Sequence, residues 1–471
     1  MSALATALLT ERLLWPVPRV RWEAARGLAR LIRAGDQVAR EALLVWISRR
    51  DLESEVMLGL GVIDGFDLCG AFSFDEVSRA VKAPSFLSDL LLARNFADAE
   101  RLFPFRYALS PDAPAPISDE VAAWFERYWH AAVPPVFRRT LERLEEESGW
   151  PFLKQWKHDW CWLQSTHPRP VPDRPYYFFD HDREGVGQID LGQRELYISA
   201  YLRTLAHAAL RGPLPNDVAE GHALHALTLT PGLATLRSVP APEWATGRPQ
   251  GIEVEEDVRA EALRLWSAAR SDLAVDEVPL HLTVTRRSAD EWLELELSLA
   301  VGRPGFRGTG IKPMILKPAI IGGETGEFVR LFAQQVRPQD IPLDPPLILV
   351  QEIHPAWPGR FHSDILAGMS LASPVLFGPA VLDSHEDVVR LRLGLDNVST
   401  WRHWYDGWSP GQPADLRSPI NSLTGAKAAN IEALVKGSGG ELGVWVSARH
   451  GIRKQSYSDY IVQDATFWAE T

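Results

Sequence analysis

Carboxylates crowd one short stretch of this chain: Asp180, Asp182 and Glu184 fall within five residues, interrupted by His181 and Arg183, and Asp190 and Glu195 follow. Hard divalent cations take several oxygen ligands from elements that meet in space, so Asp180, Asp182, Asp190 and Glu195 form a candidate catalytic set for a metal-dependent nuclease or other hydrolase. The same acids suit a solvated polar turn, and no lysine or second histidine stands at a matching position to complete such a centre. A second group lies in AEGHALHAL, where Glu220, His222 and His225 come together and His207 lies one helix earlier. Imidazoles three residues apart can face one metal ion on a helix, which makes His222 and His225 candidate ligands, although HExxH spacing and an obvious third ligand are missing. Gly305 to Lys312, GFRGTGIK, is a glycine-rich loop with two cations; Gly308, Gly310 and Lys312 are its candidate nucleotide- or small-molecule-binding residues. Pro313 removes the helix start that a phosphate cradle needs, which favours a plain connection between strands. No GxSxG elbow occurs, and no cofactor is predicted.

Composition narrows the class. At 471 residues the chain should divide into two or three domains, and 46% hydrophobic with 23% charged residues is ordinary for soluble globular protein. The start, MSALATALLTERLLW, lacks a basic leader, and no apolar run approaches the roughly 18 residues of a membrane span, so a cytoplasmic location without a membrane partner is expected. Cys69 and Cys161 are too far apart and too few for a zinc ribbon and read as thiols, not as a disulfide. A net charge of −12 opposes general attraction to nucleic acid and leaves only a local basic patch for such binding. Tryptophan stands out at 18 residues, either as anchors between elements or as an aromatic contact surface.

The elements that would position these residues change character along the chain. Helical periods run through the first third, with Val20, Ala24, Leu28 and Leu31 on one stripe. Gly59, Gly61 and Gly65 mark a helix end or a close helix contact. Further helices are predicted over Ser85 to Phe105, from an N-cap at Ser118, and over Val136 to Glu147, Arg194 to Leu210 and Val258 to Ala269. YYFFD is strand-like. From about Ile252 alternation takes over in LHLTVTRRS, EWLELELSLAVG, MILKPAII, SPVLFGPAVL, VVRLRLGLD and ELGVWVSARH. LILV, without alternation, predicts a central strand covered on both faces. Two more helices are placed at Glu327 to Gln335 and Ala426 to Lys436. Trp401, His403, Trp404, Tyr405 and Trp408, with Arg449, His450, Arg453 and Lys454 later, interleave aromatics and cations, which suits a peptide or nucleotide surface and a sheet's packing edge equally.

The run Val20-Arg21-x-x-Ala24-Ala25-x-x-Leu28 resembles the second helix of a HEAT-type repeat over about 50 residues, with Pro18-Arg19 where an Asp is usual and without a clear second copy. That resemblance implies a helical unit that presents surface to a partner. The expected fold is therefore multidomain α+β: a HEAT-like helical region over 1–165, a mixed connecting segment over 166–250 with one long helix, and a mixed or antiparallel sheet domain with helices over 251–471. Apolar and aromatic anchors without concentrated polar triads favour binding over catalysis. The expected function is a non-enzymatic protein–protein interaction or regulatory scaffold, of the kind found in bacterial multi-gene systems such as anti-phage defence. Trp22, Trp46, Trp404 and Trp408 are the candidate partner contacts, and a metal-dependent hydrolase and a nucleotide or small-molecule sensor are the alternatives.

Overall fold

The computed structural model describes residues 3–15, 18–97, 119–132, 135–169, 193–227, 236–247, 255–288, 290–306, 313–314, 337–352, 369–373, 381–385, 387–405, 420–453 and 460–470. Helices fill the first part and an antiparallel sheet the second, so the fold is α+β. Described residues up to 227 belong to one compact unit and those from 236 onward to another. The helix over Arg194 to Leu210 thus sits in the helical unit.

That unit starts with α1 (Ala3–Glu11), α2 (Pro18–Arg33), α3 (Gln37–Ser48) and α4 (Glu53–Gly65). Asp36 caps α3 by accepting from the Ala39 amide at 3.1 Å, which satisfies one of the amides a helix start leaves open. Every residue of α4 is buried. Its Gly59 lets α3 approach, because a Cβ there would overlap the Ile47 side chain. α5 (Phe74–Ala80) opens on a capping box of Ser73 and Glu76, and α6 (Phe86–Asn95) on one of Ser85 and Ser88. α6 is shorter than the periodicity predicts, because Phe96 is already in extended backbone. α7 (Asp119–Ala132), α8 (Pro135–Ser148), α9 (Phe152–Thr166), α10 (Gln193–Arg211) and α11 (Asn216–Ala223) complete the unit. Tryptophans act as anchors here: Trp156 and Trp160 of α9 stack on Tyr197 of α10, and Phe137 of α8 stacks on Tyr201 at 4.2 Å between ring centroids.

The second unit begins with α12 (Glu255–Ser271) and then β1 (Glu277–Arg287), β2 (Glu291–Gly302), β3 (Leu347–Ile348), β4 (Val350–Glu352), β5 (Ser370–Ala372), β6 (Val381–His385), β7 (Val388–Leu393), β8 (Asp396–Tyr405), β9 (Ile420–Lys427), α13 (Ala428–Ser438), β10 (Glu441–Arg453) and β11 (Tyr460–Glu470). The main sheet runs β11-β10-β2-β1-β9-β8-β7-β6, with β3 added beside β2. All of its strand pairs are antiparallel. Register explains the alternation of β2: Leu295 and Leu297 lie opposite Val284 and Leu282, and Leu299 opposite Val444. These side chains make one buried face, and α12 packs on it. Glu294, Glu296 and Ser298 share the other face with Thr285, Thr283 and His281. LILV does not make a central strand. It divides into β3, which pairs β2, and β4, which pairs β5, with a bend at Leu349 between them. Glu327 to Gln335, YYFFD and most of MILKPAII lie outside the described residues.

Candidate functional site

The first helix is turned against its own composition. On α1 the leucines Leu4 and Leu8 are 71% and 52% exposed, whereas Thr6 and Thr10 are 1% and 5% exposed. A helix that served only its own core would do the reverse. The Thr10 hydroxyl is accommodated by donating to the Ala7 carbonyl at 2.8 Å, while the Thr6 hydroxyl has no hydrogen-bond partner among the described residues. Trp15 just beyond α1, and Val38 and Val45 seven residues apart on α3, are exposed as well. α1 packs against both α2 and α3, so the first 45 residues hold five of the eleven large apolar side chains that are exposed in the described chain. Five such residues within the first 45 are a local concentration, whereas singly scattered apolar residues are the norm elsewhere.

Deeper in the same unit lies a polar cluster between α4, α9 and α10. Arg203 Nε donates to Glu53 Oε1 at 2.7 Å, with both side chains buried. Asp159 accepts from Gln155 and from the Thr204 hydroxyl, each at 3.2 Å, and His207 Nδ1 stands 3.2 Å from its Oδ2. Ser54 joins the helices twice, its amide donating to Ser199 Oγ at 3.1 Å and its hydroxyl to the Glu195 carbonyl at 2.9 Å. Burial pushes the Glu53 carboxyl up from its ordinary value, against the opposing pull of Arg203. The buried cluster ties three helices together, so its first role is registry. Among the described residues no group of three His, Cys, Asp or Glu side chains is placed to hold a metal ion.

Of the acids singled out from the sequence, Asp180, Asp182 and Asp190 lie outside the described residues, and Glu195 is buried in the first turn of α10. Gly308, Gly310 and Lys312 also lie outside them. His222 is buried in α11, where desolvation, then the charge of Arg143, lowers its pKa from 6.5 to about 4. His225 falls in the short 3-10 turn that follows. Cys69 and Cys161 are free thiols, and burial raises the Cys161 pKa to about 11, away from nucleophilic use. Three of the tryptophans expected as partner contacts are interior: Trp22 and Trp46 are 3% exposed and Trp404 1%. Arg26 and Arg50 cover the first two rings, and Trp244 meets Trp404 edge-on at 5.9 Å. A ring so covered offers no surface to another molecule. Trp408 lies outside the described residues. The exposed apolar residues that sequence reasoning did not single out are Leu4, Leu8, Trp15, Val38 and Val45. Their signal was an apolar-rich first helix interrupted by threonines at four-residue spacing. No family model matches this chain, and no curated protein matches it.

Proposed function

We propose that this protein is a non-enzymatic interaction protein whose first helices dock another protein, with the sheet unit serving a second recognition or regulatory role. The observation that supports this most is the outward placement of Leu4 and Leu8 over inward Thr6 and Thr10. Exposed leucines bring little to a lone chain, and under a partner the remaining exposed part of each contributes about 1–2 kcal/mol of apolar burial before the costs of association. The partner face of this reading is apolar, in keeping with the chain's net charge of −12, which opposes a polyanion.

The test is capture from extracts of the native host followed by mass spectrometry, with the wild-type chain and the double variant L4E/L8E as paired baits. A protein retained by the wild type and lost by the variant, with an unchanged melting temperature, is the expected result. Equal retention by both baits would remove α1 from the interface.

A further inference from the structure

A cavity of about 320 Å³ opens in the helical unit where α5 begins and α6 ends, lined by Cys69, Gly70, Phe74, Asn95, Phe96 and Ala97. Local structure builds its walls. α4 stops at Gly65, and the chain turns through Asp67, whose φ of 49° is the left-handed conformation that aspartate tolerates better than most residues. The Leu68 amide then donates to the Ile63 carbonyl at 2.9 Å, and a 3-10 turn over Cys69–Ala71 follows. Phe74 opens α5, while Phe96 leaves α6 in extended backbone. The two rings meet at 6.3 Å between centroids, tilted by 57°, and both side chains are only half-buried.

The polar side of the cavity is fixed in advance. Asn95 Nδ2 donates to Asp64 Oδ1 at 2.8 Å and to the Leu91 carbonyl at 2.7 Å, and Arg94 clamps Asp64 through two bonds of 2.8 and 2.6 Å. Both amide hydrogens of Asn95 are thus spent, and its Oδ1 accepts from no described residue. That oxygen is the only side-chain oxygen in the lining. The Cys69 thiol is already directed at Asp67 Oδ1, 3.6 Å away.

We propose that this cavity binds a small neutral aromatic molecule that carries an N–H donor. A volume near the lower end of ligand pockets admits one or two rings. Half-covered phenylalanine rings supply face and edge contacts to a flat molecule. The lining holds no charged side chain, so a neutral ligand fits it better than an ion. An amide oxygen accepts and cannot donate, so the matching group on the ligand is a donor.

Cys69 reports occupancy. The other thiol, Cys161, is 7% exposed with its pKa raised to about 11, so iodoacetamide modifies Cys69 first in the folded full chain, as mass spectrometry of the product would verify. Indole should slow this modification saturably, with half-protection on the order of 1 mM. Benzofuran, the same ring frame with oxygen in place of the N–H, should bind about three- to tenfold more weakly. Phe96→Ala removes one aromatic wall and should weaken protection by indole about tenfold, read in protein whose melting curve shows it folded. The comparison of the two rings uses the wild type alone and stands whatever that variant does. An unchanged rate up to on the order of 10 mM indole, equal protection by both rings, or full protection in folded Phe96→Ala would each overturn the proposal.

Discussion

At the scale of single residues, the buried charges of the helical unit set testable energies. Burial raises the Glu53 pKa despite Arg203, which means that desolvation exceeds the attraction of the pair. Such a pair specifies an arrangement more than it stabilises one, and removing one member leaves an uncompensated charge in the interior. Arg203→Met should therefore lower the stability to urea unfolding by about 3–5 kcal/mol, and adding Glu53→Met should recover most of that loss. His222 acts through pH. Its pKa is depressed in the folded chain, from 6.5 to about 4, so the stability tied to its neutral form is present above pH 6.5 and is lost as pH falls toward 4. The total is about 3 kcal/mol at 1.36 kcal/mol per unit. In a urea series across that window, His222→Gln should lose stability less steeply than the wild type; parallel slopes would show that His222 is not the group responsible.

At the scale of elements, tryptophans and glycines fix the sheet together. A Cβ at Gly451 would run into the Trp292 ring on β2, and one at Gly443 would run into Trp468 on β11. The indole therefore lies across the glycine of the neighbouring strand, burying backbone that glycine leaves bare. Gly451→Ala should displace Trp292 and cost about 1–3 kcal/mol, read as a lower melting temperature with altered tryptophan fluorescence. These partnerships account for part of the tryptophan excess as internal anchors. Elements with a clean period were legible in the sequence: α2, α3, α8, α10 and α12 from three- and four-residue steps, and β1, β2, β7 and β10 from alternation. β9 and β11 were not. INSLTGAK is small and polar, yet its strand is buried between β1 and β8, and sheet position, not local pattern, determined its state. LILV misled because a run without alternation says only that both sides are covered, and here two short strands in different sheets achieve that.

At the scale of the whole molecule, the sequence announced helices followed by a sheet but could not say which apolar residues face outward. Trp22 and Trp46 looked like contacts by type and are interior; Leu4 and Leu8, which the sequence did not single out, lie outward. Burial is a property of the packed unit, and α1 is apolar on too many sides for its period to choose an inner face. Docking through that outer face is best tested where the face is. A photo-crosslinking residue installed at Leu8, and in a parallel sample at the exposed Leu395 of the sheet unit, would be irradiated in extracts of the native host. The expected result is a discrete adduct with another protein from position 8 and none of that mass from position 395. No adduct from position 8, with the same protein captured through position 395, would contradict docking by the first helices.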